Sequence, residues 1–141
     1  MLLNISRVDT WKAIVDDTPG GLQAKLEGLA KAGADLEFVL GRRVSSQPGR
    51  GFVYVTPLKG DTQIAAAIKL GFERSPTHYA VRVEGPDEPG VAYLLTSALA
   101  AAKINLRGFS AVRQGSRFVA YIAFDNPSDA DLAVSKLGRV I

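Results

Sequence analysis

The chain has 141 residues, no cysteine and one histidine, with a formal charge of +3, 47% hydrophobic residues and 22% charged ones. That balance is typical of a globular protein, and it excludes disulfides, thiolate metal sites, thiol catalysis and a His-rich metal site within one chain. Basic and acidic residues are interspersed, so charge alone marks no nucleic-acid surface.

The start, Met1-Leu2-Leu3-Asn4-Ile5, is apolar but too short for a signal segment, and Arg7 and Asp9 follow at once. No apolar run approaches bilayer length. A cytoplasmic location and no membrane partner are therefore expected. Trp11, Ala13 and Val15 alternate with Lys12 and Asp16 as in a strand, which Pro19 and Gly20 stop. A helix is predicted from Gly21 to Ala32, with Leu22, Leu26 and Leu29 on one face and Gly33 past its end. Strands follow at Leu36 to Leu40 and, after the turn Gln47 to Gly51, at Phe52 to Val55. A second helix spans Asp61 to Leu70, with Asp61 as N-cap. The same plan then recurs. Strands are predicted at Tyr79 to Val83, Ile104 to Val112 and Arg117 to Phe124, helices at Gly90 to Ala102 and Ser128 to Leu137, and Arg139-Val140-Ile141 as a short last strand.

The recurrence is visible residue by residue. At an offset of 70, Asp17-Thr18-Pro19-Gly20 meets Asp87-Glu88-Pro89-Gly90, Leu29 meets Leu99, Leu36 meets Leu106, Arg43 meets Arg113, and Asp35 falls opposite Asn105. With four residues removed from the hairpin, Phe52-Val53 falls on Phe118-Val119. Two modules are expected, 1–75 and 76–141, divided near Arg74-Ser75-Pro76. Each reads strand, helix, strand, strand, helix, strand. That order predicts an α+β fold of two ferredoxin-like βαββαβ modules, each an antiparallel four-stranded sheet with its helices on one face. A right-handed crossover places the third strand between the first and second, leaving the second at an edge. Pairing the two edges would give one eight-stranded sheet.

Asp17-Thr18-Pro19-Gly20-Gly21-Leu22 with Gly33-Ala34-Asp35-Leu36, and Asp87-Glu88-Pro89-Gly90-Val91-Ala92 with Lys103-Ile104-Asn105-Leu106, resemble the D-x-P-G signature and second-strand entry of the ACT domain family. The chain departs from that pattern at Gly21, where an aliphatic residue is usual, and at Lys103, where a glycine is usual. The resemblance implies a regulatory, allosteric protein that binds a free amino acid between ACT modules and acts on a metabolic enzyme, either fused to it or as a separate chain.

A zwitterionic ligand needs an anion site beside a cation site. Exposed N–H groups at Gly20-Gly21 and Gly90-Val91, each opening a helix, suit a carboxylate. Asp17 or Asp87 can accept from an ammonium group. Asp35 and Asn105 begin second strands, at the far end of each module from its own loop. Antiparallel edge pairing would bring each to the other module's loop. Two composite sites are therefore expected: Asp17, Pro19, Gly20 and Gly21 with Asn105 and Leu106, and Asp87, Gly90 and Val91 with Asp35 and Leu36. The first suits an amino acid, since Asn105 both donates and accepts. The second gathers two carboxylates and suits a cation or is vestigial. No cofactor, metal or catalytic residue is expected, and a homodimer is.

Two other readings stand beside this one. Arg50-Gly51-Phe52-Val53-Tyr54-Val55 is close to the third-strand octapeptide of the RNA-recognition motif, which requires its aromatics on the open sheet face. Pro57 stands where that motif's last aromatic belongs, and an apolar central strand is more often core, so a nucleic-acid partner is not expected. The other reading is a purely structural, oligomerising pair with empty pockets. Catalysis finds little support. His78 has no nucleophile in recognisable spacing, Asp16-Asp17 and Asp87-Glu88 point apart, and Arg42-Arg43 reads as a solvated strand end.

Overall fold

Period-two burial builds the inner strands. Trp11, Ala13 and Val15 are buried on one strand and Val53 and Val55 on its neighbour, while the residues between them face away. The computed structural model describes residues 2–75 and 79–139, so the expectations for His78 and for Val140-Ile141 lie outside the described residues. The elements are β1 (Asn4–Val8), β2 (Trp11–Asp16), α1 (Gly21–Lys31), β3 (Phe38–Arg43), β4 (Arg50–Thr56), α2 (Gly60–Lys69), β5 (Glu73–Arg74), β6 (Tyr79–Pro86), α3 (Val91–Ala101), β7 (Gly108–Gln114), β8 (Arg117–Phe124) and α4 (Pro127–Leu137). No helix among the described residues is long and apolar enough to cross a membrane.

Contacts divide the chain into a first unit, Asp9–Ser75, and a second unit formed by the rest. Each contains an antiparallel four-stranded sheet and two helices; the first has the βαββαβ order read from the sequence, and the second has βαββα with its fourth strand supplied by β1. The ladders give two sheets of four, in place of one sheet of eight. Among the described residues the expected edge strand of each sheet, β3 or β7, pairs with its hairpin partner alone, β4 or β8.

In the first unit the order is β3-β4-β2-β5. Its core gathers Trp11, Ala13, Val15, Leu29, Val53, Val55, Ala67 and Phe72. Burying a side chain of the size of Leu29 contributes about 1.5–3 kcal/mol. Gly20, at φ 86°, turns the chain from β2 into α1, and Gly33, at φ 83°, releases it at the other end. Asp61 is not the N-cap of α2. Lys59 holds that position, and its N–H donates to Gln63 Oε1 at 2.8 Å, one turn into the helix. Asp61 lies instead in the first turn, where its charge complements the helix dipole.

In the second unit the order is β1-β6-β8-β7. The core includes Val81, Val83, Val91, Leu95, Leu99, Phe118, Ile122 and Phe124. Asn126 caps α4, its Oδ1 accepting from the Asp129 N–H at 2.8 Å. The fourth strand place, expected for Arg139 to Ile141, is taken by β1, while Arg139 lies in the turn after α4. Ile5 pairs with Val83, and Leu3 and Ile5 pack on the core. Gly85 makes room for this strand, because a Cβ there would lie 2.5 Å from Leu3 Cδ2. The division at 1–75 is thereby corrected, since the residues up to Val8 belong with the second unit.

The register also corrects the alignment of the repeats. Gly51 lies between Val15 and Arg43, and Phe118 lies between their counterparts Gly85 and Arg113. Gly51 is therefore the counterpart of Phe118, at an offset of 67, so the hairpin is shorter by three residues and Phe52 matches Val119. One residue matters here because it exchanges the two faces of a strand.

Candidate functional site at the first D-x-P-G loop

Each loop is anchored by its own hairpin. The Asp17 N–H donates to the Gly49 carbonyl at 2.9 Å, and the Asp87 N–H to the Ser116 carbonyl at 2.8 Å. Gly20 and Gly90, both at φ 86°, then lead into α1 and α3. The N–H groups of Gly21 and Val91 do not await a carboxylate. They donate within the turn, to Thr18 O at 3.0 Å and Glu88 O at 3.2 Å. In the first unit this leaves Leu22 and Gln23 as the orphan-donor positions of the first helical turn. The Val91 side chain is buried in the core of its unit.

Each loop aspartate faces an arginine at the end of the second strand of its module, Arg43 as the last residue of β3 and Arg113 as the last but one of β7. Asp17 Oδ2 lies 2.9 Å from Arg43 Nε, and Asp87 Oδ2 lies 3.8 Å from Arg113 Nη1. Both arginines are well exposed, so the pairs add at most about 1 kcal/mol of stability. What they provide is an anion and a cation side by side. Beside the first pair opens a cleft of about 230 Å³ lined by Val15, Asp16, Asp17, Thr18, Leu22, Gly41, Arg42, Arg43 and Gly51. Val15 and Gly51 are its buried floor, and the charged residues are its exposed rim. The volume falls below the roughly 300–1,000 Å³ of drug-sized pockets and suits a molecule of amino-acid size.

Asp17 is the one expected site residue that lines this cleft. Arg42 and Arg43, read as a solvated strand end, and Leu22, read as part of the core stripe, line it too. The coincidence of Arg43 with Arg113 in the repeat was the available signal. Asp35 and Leu36 lie in the loop before β3, and Asn105 and Leu106 in the loop before β7. Asp35 and Asn105 are exposed, whereas Leu36 and Leu106 pack on their cores. Within the first unit, the Glu37 N–H bonds Thr56 O at one end of β4, and Asp17 bonds Gly49 at the other. At roughly 3.3 Å per residue the length of β4 is about 20 Å. No single unit therefore joins its own D-x-P-G loop to its own Asp35 or Asn105.

Phe52 and Tyr54 are not core. They share the open face of the first sheet with Lys12, whose ammonium lies 3.9 Å from the Phe52 ring centre and 5.8 Å from that of Tyr54. The counterpart pair, Arg82 and Tyr121, is 6.0 Å apart in the second unit. There Arg82 also bonds Glu84 at 2.9 Å, which together with Arg117 holds the Glu84 carboxyl below the usual carboxylate range.

No family model matches the chain, and no curated protein matches it in sequence. Solved structures do match its fold. Protein BT0572 from Bacteroides thetaiotaomicron superposes with a TM-score of 0.77 at 15% identity, over 94% of this chain and 90% of that one. The regulatory subunit of aspartate kinase from Thermus thermophilus superposes with a TM-score of 0.68 at 13% identity, over 100% and 97%. Aspartokinase III from E. coli, in complex with aspartate and ADP, gives 0.62 at 17% identity, over 96% of this chain and 32% of that one. At such identities the likeness is one of fold. The chain shares the fold of the regulatory subunit of aspartate kinase, consistent with the ACT resemblance read from its sequence.

Proposed function

We propose that this chain is a non-catalytic regulatory module that senses a free amino acid at the Asp17 loop and transmits its occupancy to a metabolic enzyme. The cleft of about 230 Å³ beside the Asp17–Arg43 pair carries the reading. Its rim offers a carboxylate for an ammonium group and guanidinium groups for a carboxylate, a few ångströms apart. Similarity of fold to regulatory subunits supports the same role. Asn105 completes the site when the β3 edge of one copy of the chain meets the β7 edge of another, antiparallel, in a homodimer. The Asp87 loop meets Asp35 in the same way.

Mass action makes this testable, because a ligand that binds the folded state raises the melting temperature with its concentration. A thermal-shift screen of the twenty proteinogenic amino acids is expected to yield a saturable rise with one or a few of them. Asp17→Ala and Asn105→Ala abolish that rise while leaving the unliganded melting temperature nearly unchanged, since Asn105 is exposed and the Asp17–Arg43 pair adds at most about 1 kcal/mol. A flat response to all twenty contradicts the reading.

Placement of Phe52 and Tyr54 on the open sheet face favours RNA binding as a second reading. The Lys12 ammonium, however, covers the Phe52 ring on which a base would stack. Salt-dependent retention of mixed RNA oligomers on a filter would favour that alternative.

A further inference from the structure

We propose that only the first of the two repeated loops holds a ligand, and that this ligand is an amino acid with an aliphatic side chain. The inference rests on the sensor reading above and concerns which of its sites is real and what fits there. The two units differ at the floor of the cleft. In the first, one row across the sheet reads Arg43, Gly51, Val15. In the second, the matching row reads Arg113, Phe118, Gly85.

A glycine thus stands at the centre of the first row and a phenylalanine at the centre of the second. Phe118 is 7% exposed and belongs to the core of its unit. The difference recurs around it. Gly21 of the first loop corresponds to Val91, which is 2% exposed in the same core as Phe118, and Gly41 corresponds to Ala111. Three positions that lack side chains in the first unit therefore carry them in the second. Two of those side chains, Phe118 and Val91, fill the core beneath the Asp87 loop. The aspartate–arginine spacing agrees, at 2.9 Å over the glycine and 3.8 Å over the phenylalanine.

The walls of the open cleft name the ligand class. Asp17 and Arg43 on the rim match the ammonium and carboxylate groups common to all α-amino acids. Asp16, Thr18 and Arg42 stand on the exposed rim as well, while the buried floor is Val15 with Gly51, and Leu22 and Gly41 flank it without a polar side chain. A polar or charged ligand side chain entering there would lose its hydration and find no side-chain partner on the floor, which is unfavourable. A branched aliphatic side chain would bury apolar surface against Val15 and Leu22.

The test is isothermal titration of the full chain with valine, leucine, isoleucine, serine, lysine and aspartate. We expect one aliphatic amino acid bound per chain, at least ten-fold more tightly than the polar ones. Gly41→Val adds a branched side chain at the cleft, its Cβ meeting Leu22 Cδ2 at an ordinary 3.6 Å. It should weaken binding at least ten-fold while the melting temperature holds, whereas Ala111→Val, its counterpart in the second unit, should bind as the wild type does. Two ligands per chain, or wild-type binding by Gly41→Val, overturns the single-site assignment. Tighter binding of serine, lysine or aspartate overturns the aliphatic assignment and leaves the sensor reading standing. No binding of any of the six overturns the aliphatic assignment, and a flat thermal-shift response to all twenty amino acids overturns the sensor reading with it.

Discussion

Lys103 adopts a left-handed conformation, φ 59°, at the position where the first repeat uses Gly33 at φ 83°. A side chain in that region costs roughly 1–2 kcal/mol, partly offset because a glycine would loosen the unfolded chain. Lys103→Gly should therefore stabilise the protein by about 0.5–1 kcal/mol, measured by urea denaturation, and a loss of stability would contradict this account of the helix end. The departure at Lys103 was legible in the sequence, and so was the turn it must make. The departure at Gly21 was legible only as an oddity. Its reason is that a Cβ there would lie 2.1 Å from the Asp16 carbonyl oxygen, a clash between strand end and helix start that spacing does not reveal. Asp17 was equally visible, but its partner Arg43 was not, because the two meet only after β3 and β4 have paired.

At the scale of elements, the helices and inner strands follow closely from apolar periodicity, and the edges do not. Strands β3 and β7 begin later than their apolar runs do, at Phe38 and Gly108. Leu36 and Leu106 are spent on core contacts in the loops before them, so apolar character there signals packing and not a ladder. The fourth strand of the second sheet was misplaced for a related reason. Asn4 to Val8 is short and half polar, and alternation shows which face is buried without showing which strand is the neighbour. The β1–β6 ladder predicts that Ile5→Ala costs about 1–2 kcal/mol, the low end for a half-buried aliphatic side chain. Hydrogen exchange should then quicken along β6 and β8 and stay unchanged along β2 and β4. Equal quickening in both sheets would contradict the assignment of β1 to the second unit.

For the whole molecule, duplication explains the architecture, and the proposed function rests on the divergence of the two loops. Two D-x-P-G loops in register were enough to predict two βαββαβ modules. They were not enough to show that the loops differ, because the difference resides on β4 and β8, where the hairpins are of unequal length. Counting four removed residues in place of three set Phe52 against Phe118, an outward side chain against an inward one, and hid the pairing of Gly51 with Phe118. The composite sites with Asn105 and Asp35 require two copies of the chain side by side, a condition that belongs to the proposal.

Heteronuclear NMR of the full chain during titration with a branched-chain amino acid tests the central claim most directly. Saturable shifts should concentrate on the amides of Asp17, Leu22, Gly41, Arg43 and Gly51 as the ligand reaches millimolar concentration, with Gly85, Gly115 and Phe118 unmoved. Amides of the first cleft that stay still at saturation, or shifts centred on the Asp87 loop, would contradict it.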